Sequence, residues 1–393
     1  MKNILLYYNF SYPLGGGDYL PLTFAAELQK NCKVTLAVDS IVGFERAVRF
    51  FNLPLDTTKL KVVQLMPKNY DVHRHNTFFS YIRNVRLKKL AKHADICIST
   101  VNIIDFGCPA HHFINFLAGV DKSISDVSCN ALDNRHFKQP LLKRIRTFFC
   151  ESLMRSILGM RSKRTIICDP KEHIYPNSQY VNDLMEKFYG SFNGMIFYPP
   201  TTFEAKEVDI ERNSLRVTYI GRIHPDKRIS EIISIVERAR SLSGKDLQLV
   251  IAGPLSDTSN YCTQIRQKAE KNNWIMLMDG IWGKDKVKML CSSSYAVHAR
   301  RNEEFGISVT EYLKAGLIPI VPNEGGSMEV VDNPALTYHD NEEAAQILAH
   351  LLLDDEFRKK QLQHCFERAK IFSLQAYMER QKKVLDKIVN GEL

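Results

Sequence analysis

Residues 295–321 read YAVHARRNEEFGISVTEYLKAGLIPIV, and their pattern decides the fold class. Tyr295–Ala299 is a short apolar run of strand type, Ile307–Ala315 reads as a helix, and Ile318–Val321 as a second strand. Gly306 stands at the turn between strand and helix, where the missing Cβ lets backbone approach a ligand closely. Strand, helix and strand in this order form a βαβ unit of a parallel, doubly wound sheet. Glu303 precedes the turn and Glu311 lies one helical turn inside the helix, so the two carboxylates bracket a bound molecule without direct repulsion. Between them the helix start offers unpaired N–H groups and the positive end of a dipole, an environment suited to phosphate.

The alternation continues outward. Upstream come strands Arg216–Ile220, Leu247–Ala252 and Trp274–Met278, with helices Ile229–Ala239, Asn260–Lys271 and Lys284–Cys291 between and after them. The C-terminal end is helical, with Phe372 and Ser373 separating two amphipathic stretches. In the first half, Asn3–Tyr8, Lys33–Val38, Lys61–Gln64, Asp95–Ser99 and Thr165–Cys168 read as strands. Leu20–Lys30, Phe44–Phe51, Phe79–His93 and Ser178–Tyr189 read as helices. The pattern breaks at Tyr198-Pro199-Pro200 and the polar stretch through Asn213, where consecutive prolines suit an interdomain link. A chain of 393 residues is too long for one core. The expectation is therefore α/β, with two Rossmann-like doubly wound domains facing a central cleft. Residues 1–200 form the first domain, residues 201–375 the second, and residues 376–393 a helix packing back on the first.

Composition bounds the function. The chain is 45% hydrophobic and 25% charged, which is globular and not disordered. No run approaches the length needed to span a bilayer, and the apolar run Ile4–Tyr8 is too short for a signal peptide. The nine cysteines are scattered, with no zinc spacing, and read as free thiols in a reducing, cytoplasmic compartment. Of the net charge of +9, the first 200 residues hold 26 Lys and Arg against 16 Asp and Glu, and the remainder is near neutral. A basic half serves nucleic acid, an anionic membrane or a phosphorylated substrate. No aromatic-basic nucleic-acid module is visible, so nucleic acid is not expected as a partner.

The E-x-F-G-x4-E segment Glu303–Glu311, followed by Tyr312-Leu313-Lys314-Ala315-Gly316-Leu317-Ile318-Pro319-Ile320, resembles the signature of family 4 (group 1) retaining glycosyltransferases of GT-B type. Glu324-Gly325-Gly326-Ser327, Gly221-Arg222-Ile223-His224-Pro225-Asp226-Lys227 and the hinge Tyr198-Pro199-Pro200 resemble the same family, in the same order. The Ala315–Pro319 stretch is similar to that of α-1,2-mannosyltransferases of lipid-linked oligosaccharide assembly. The resemblance implies transfer of a hexose from GDP-mannose or a UDP-sugar to a glycan or lipid-linked acceptor, with retention. Arg222 and Lys227 would hold the diphosphate and stabilise the leaving charge. Glu303 would meet hydroxyls of the transferred sugar and Glu311 the ribose. Gly221, Phe305, Gly306 and Ile307 would lie near the phosphates, and the base near Ile281 and Trp282.

In the first half, Leu14-Gly15-Gly16-Gly17-Asp18 follows a strand and opens a helix. There the resemblance places Gly16 and Gly17 near the donor phosphates or the acceptor, with glycine supplying positive φ. The family's first-domain histidine has its nearest counterpart in His111–Leu117. There Asn115 stands at the histidine position, and His112 either substitutes for it or is a satisfied structural histidine. Lys138–Arg164 interleaves eight basic residues with apolar ones, a pattern for either an anionic membrane surface or an ordinary surface helix. No D-x-D pair follows a strand, and with Arg222 and Lys227 available no metal or other cofactor is expected. Two rivals to transfer are a nucleotide-sugar epimerase of the same fold and a binding protein without turnover.

Overall fold

The run Ile4-Leu5-Leu6-Tyr7-Tyr8 is buried at every position, as expected for a strand covered on both faces. In the computed structural model it is β1 (Asn3–Tyr8), at the centre of a six-stranded parallel sheet. The structure describes residues 1–10, 14, 16–67, 77–114, 153–205, 210–256 and 259–393. The chain divides into two compact units, one built from residues up to Pro200 with Tyr377–Leu393, the other from Thr201–Ala376.

In the first unit β1 is followed by α1 (Tyr19–Leu28), β2 (Lys33–Val38), α2 (Ile41–Phe51), β3 (Lys61–Gln64), α3 (Thr77–Ala91) and β4 (Ile96–Ser99). Then come β5 (His111–Phe113), α4 (Lys163–Ile167), β6 (His173–Tyr175) and α5 (Gln179–Tyr189). The strand order is β3-β2-β1-β4-β5-β6, all parallel, and it reverses between β1 and β4.

Thr165–Cys168, expected as a strand, is helical. Ser162 caps α4 by accepting from the Thr165 N–H at 3.0 Å, and Ile166 and Ile167 turn into a cluster with Ile103, Ile114, Ile174, Val181 and Met185. A short β-branched run does not discriminate strand from buried helix, and here the cap decides. The strands that complete this side of the sheet are β5 and β6. Each spans three residues and begins with a histidine, which hides it from hydrophobic patterning.

The second unit repeats the topology with β7 (Arg216–Ile220), α6 (Ile229–Ser243), β8 (Gln248–Ala252), α7 (Asn260–Lys271), β9 (Ile275–Met278) and α8 (Gly283–Cys291). After these come β10 (Tyr295–Val297), α9 (Ile307–Lys314), β11 (Ile318–Pro322), α10 (Gly326–Val331), β12 (Thr337–Tyr338), α11 (Asn341–Leu353) and α12 (Asp355–Ile371). The order is β12-β11-β10-β7-β8-β9, so the reversal falls between β7 and β10. Open parallel sheets bind ligands outside the carboxyl ends of the strands at such a reversal. The last helix, α13 (Leu374–Asn390), runs back into the first unit. There Tyr377 Oη and Thr23 Oγ1 are 2.8 Å apart, and Gln381 Nε2 donates to the Thr23 carbonyl at 3.0 Å.

The ends of β7 and β8 come together through glycine. A Cβ on Gly253 would lie 1.8 Å from the Gly221 carbonyl oxygen, so the backbone approach excludes any side chain there. Gly253→Ala is expected to destabilise the second unit by about 1–3 kcal/mol, the usual cost of overpacking. Urea unfolding checks this, and an unchanged midpoint would mean that the two loops separate freely.

Candidate functional site

Three loops of the second unit meet at the carboxyl ends of the strands that flank its reversal. The first leaves β7 at Gly221. Tyr312 of α9 reaches under it, its Oη accepting the Ile220 N–H at 2.8 Å, so the loop is fixed to the helix that carries Glu311. After Gly221 the chain makes a 3-10 turn over Pro225–Lys227, capped by His224 and ended by Arg228 at φ 52°. This turn sends Lys227 inward and leaves Arg222 65% exposed.

The second loop leaves β10 and ends at Gly306, whose φ of 96° makes the turn into α9. It carries Glu303, on which the positive groups converge. Lys227 Nζ is 2.8 Å from Glu303 Oε2, Arg300 Nη1 is 3.0 Å from Oε1, and His298 Nε2 is 3.3 Å from Oε2. Burial alone would raise the Glu303 pKa, but Lys227, His298 and Arg300 together hold it well below the ordinary carboxylate range. Glu303 is therefore an ionised, acceptor-only group near neutral pH, fit to accept hydrogen bonds from hydroxyls. Asp226 ties the two loops, with His224 Nδ1 at 2.5 Å, Arg222 Nη2 at 3.7 Å and Arg300 Nε at 3.9 Å.

The third loop, Asn323–Gly325, supports the second. A Cβ on Gly326 would lie 2.3 Å from the Glu304 carbonyl oxygen, and the Gly326 N–H donates to the Glu303 carbonyl at 2.6 Å. Glycine at 325 and 326 thus lets α10 pack directly on the backbone that presents Glu303.

The structure brings Arg222, Lys227, Glu303, Gly221, Phe305, Gly306 and Ile307 to these loops. Phe305 is buried and shapes the turn from beneath, while Ile307 opens α9 with no acidic residue in the first turn. Glu311 lies inside α9, nearly buried, with Lys286 Nζ of α8 at 2.6 Å from its Oε1. Ile281 is half-buried just before α8 and Trp282 is exposed. Sequence reasoning missed Arg300, His298 and Lys286. Only His298 leaves a signal, as the one ionisable side chain directly after the apolar strand residues 295–297.

The first-unit candidates fare differently. Gly16 and Gly17 follow β1 in a 3-10 turn, Gly16–Asp18, so they are not used for positive φ. Asn115 lies outside the described residues. His112, in the middle of β5, is fully buried. Its Nε2 is 2.9 Å from Glu172 Oε2 and its Nδ1 accepts the Ile104 N–H at 3.4 Å. Both ring nitrogens are engaged and the side chain is not exposed, the geometry of the second of its two readings, a satisfied structural histidine. The signal for its partner was absent, because Glu172 sits in an unremarkable polar segment. Of the basic stretch 138–164, residues 138–152 lie outside the described residues.

Residues 201–377 match the family model of "Glycosyl transferases group 1". Among curated proteins, the chain is similar to a GDP-Man:Man(3)GlcNAc(2)-PP-Dol alpha-1,2-mannosyltransferase of Neurospora crassa, 29% identical over 147 residues. That alignment covers 33% of this chain and 26% of that protein. The protein of the same description from Yarrowia lipolytica is 56% identical over 175 residues, covering 39% and 27%. The chain thus spans about a quarter of the length of these relatives. Among solved structures, WaaG, a glycosyltransferase involved in lipopolysaccharide biosynthesis, superposes with a TM-score of 0.64 at 14% identity. It covers 97% of this chain and 99% of its own. Anabaena Alr3699/HepE in complex with UDP gives 0.66 at 14% identity over 98% and 100%. These neighbours establish the GT-B fold of two Rossmann-like units. The group 1 glycosyl transferase model thus matches the second unit of the chain, residues 201–377.

Proposed function

We propose that the protein is a retaining hexosyltransferase that uses a nucleoside-diphosphate sugar, with GDP-mannose as donor, and a glycan or lipid-linked glycan as acceptor. The observation that carries this reading is the convergence of Lys227 and Arg300 on Glu303 beside the exposed Arg222, at the reversal of the second sheet. Donor phosphates meet Arg222, Lys227 and the amides at the start of α9, where a helix dipole favours anions. Glu303 accepts hydrogen bonds from the hexose and Glu311 from the ribose, with the base near Ile281 and Trp282. The anomeric C–O bond breaks, the nucleoside diphosphate takes the bonding pair, and the acceptor hydroxyl bonds to the anomeric carbon from the same face. Its proton passes to the departing phosphate oxygen. Cationic side chains neutralise the diphosphate, so no divalent metal or other cofactor is part of the reading.

The choice of GDP-mannose rests on the mannosyltransferases that the chain resembles in sequence; the UDP-bound neighbours resemble it in fold alone. An epimerase would need an accessible acid–base histidine, and His112 is sealed against Glu172. No helix among the described residues is long and apolar enough to cross a membrane. Peripheral attachment at the inner face through residues 138–164 belongs to the same proposal, and Leu153 and Ile157 in that stretch are exposed. The test is nucleotide release in EDTA from GDP-mannose and from UDP-glucose, with mannose-terminated glycan and lipid-linked acceptors. Acceptor-stimulated GDP release supports the reading. Release of UDP alone reassigns the donor, and release of neither overturns the activity.

A further inference from the structure

His298 is held rigidly from both sides of its backbone. Its N–H donates to the Ile320 carbonyl at 2.9 Å, and its own carbonyl accepts the Tyr338 hydroxyl at 2.9 Å. The side chain is 1% exposed. Its Nε2 lies 3.3 Å from Glu303 Oε2, and neither ring nitrogen makes a well-formed hydrogen bond among the described residues. A buried polar group left in this state calls for an explanation, and one is a contact that tightens when ligand arrives. Burial lowers the His298 pKa against the pull of Glu303, so the ring is neutral, with one donor and one acceptor nitrogen.

The neighbours of Glu303 differ in what a bound donor does to them. Lys227 and Arg300 are cations, and a diphosphate beside them competes with Glu303 for their hydrogen bonds. The neutral imidazole beneath the carboxylate has no such competitor. Resting on the donor-site reading above, we infer that His298 is a positioning residue. It donates from Nε2 to Glu303 and keeps that carboxylate turned toward the transferred sugar while the phosphates engage the cations. It discriminates sugar nucleotide from bare nucleotide without touching either.

The experiment is calorimetric titration of GDP against GDP-mannose, and of UDP against UDP-glucose, on the wild type and on H298L, H298Q and H298N. In H298L, affinity for the bare nucleotide is expected to stay within about twofold while the sugar nucleotide weakens roughly tenfold, the scale of one lost hydrogen bond to a charged group. Glutamine places its amide nitrogen near the position of Nε2 and restores most of the loss. Asparagine mimics Nδ1 and does not. In a Glu303→Ala background H298L adds no further effect, because neighbours acting through one group are not additive. Equal weakening of nucleotide and sugar nucleotide in H298L, tracking a fall in thermal midpoint, would make His298 merely structural and overturn the proposal. So would an unchanged preference for the sugar nucleotide. If H298L does not fold, the glutamine–asparagine comparison decides alone. A wild type that binds neither nucleotide overturns the donor-site reading itself; a wild type that binds, with variants that do not differ, overturns only the role of His298.

Discussion

Replacing Lys227 with alanine is expected to lower the rate of hexose transfer by about 10²–10³-fold, the range seen when one group that stabilises developing charge is removed. Lys227 Nζ is 2.8 Å from Glu303 Oε2, at the end of a 3-10 turn that fixes its backbone. On the proposed reading it faces both the leaving diphosphate and the carboxylate that holds the sugar, so its loss removes charge stabilisation and loosens Glu303 together. Stability should change little. The turn lies on the surface, and Arg300 still pairs with the other oxygen of Glu303. Arginine at 227 should recover only part of the rate, since a planar fork does not occupy the place of a compact ammonium. Turnover at saturating donor, read beside the thermal midpoint, checks this. A rate within about threefold of wild type would remove Lys227 from the charge-stabilising role that this estimate assumes.

Glu172→Ala is expected to destabilise the first unit by about 3–5 kcal/mol, the cost of breaking a buried ion pair from one side. Glu172 is completely buried. It accepts the Ala110 N–H at 2.8 Å, meets His112 Nε2 at 2.9 Å, and pairs with Arg161 Nη2 at 2.7 Å. Arg161 is itself bound to Asp105, so removing Glu172 strands an amide, an imidazole and part of a guanidinium in the interior. Urea unfolding followed by far-UV circular dichroism measures the loss. The same network separates the two readings of His112. A structural His112→Ala variant loses stability and activity in parallel, whereas a catalytic one loses turnover while remaining as stable as wild type.

What was legible in the sequence divides along physical lines. The second unit reads well because its strands are mostly apolar, several of its helices are bounded by caps at Ser259, Asp340 and Asp354 or by glycines at 244, 306 and 325, and its binding loops carry charge at fixed spacing. Arg216–Ile220 and Asn260–Lys271 fall where the pattern sets them. The first unit reads less well beyond β4. Strands β5 and β6 are three residues long and histidine-led, and the β-branched run at residues 165–168 is drawn into a helix by the Ser162 cap. The cluster around Glu303 was only half visible. Glu303 and Lys227 belong to recognisable segments, but Arg300 and His298 reach the carboxylate through the shape of one loop. That shape depends on Gly326 lying against Glu304, a contact no local pattern reveals. For His112 the sequence left two readings open, a catalytic and a structural one, and its contact with Glu172 is distant in sequence, so no local pattern reveals it.

The central claim is that the loops after β7 and β10 bind the diphosphate of a nucleotide sugar. Its most direct test is thermal unfolding of the wild type and of Arg222→Ala in EDTA, with GDP, UDP and ADP in turn. A ligand at about a hundred times its dissociation constant adds roughly 2.7 kcal/mol to the state that binds it, a shift of several degrees. Such a shift is expected with GDP, and its loss or marked reduction in Arg222→Ala. If none of the three nucleotides moves the wild-type midpoint, the loops do not form a nucleotide site and the proposed transfer has no donor.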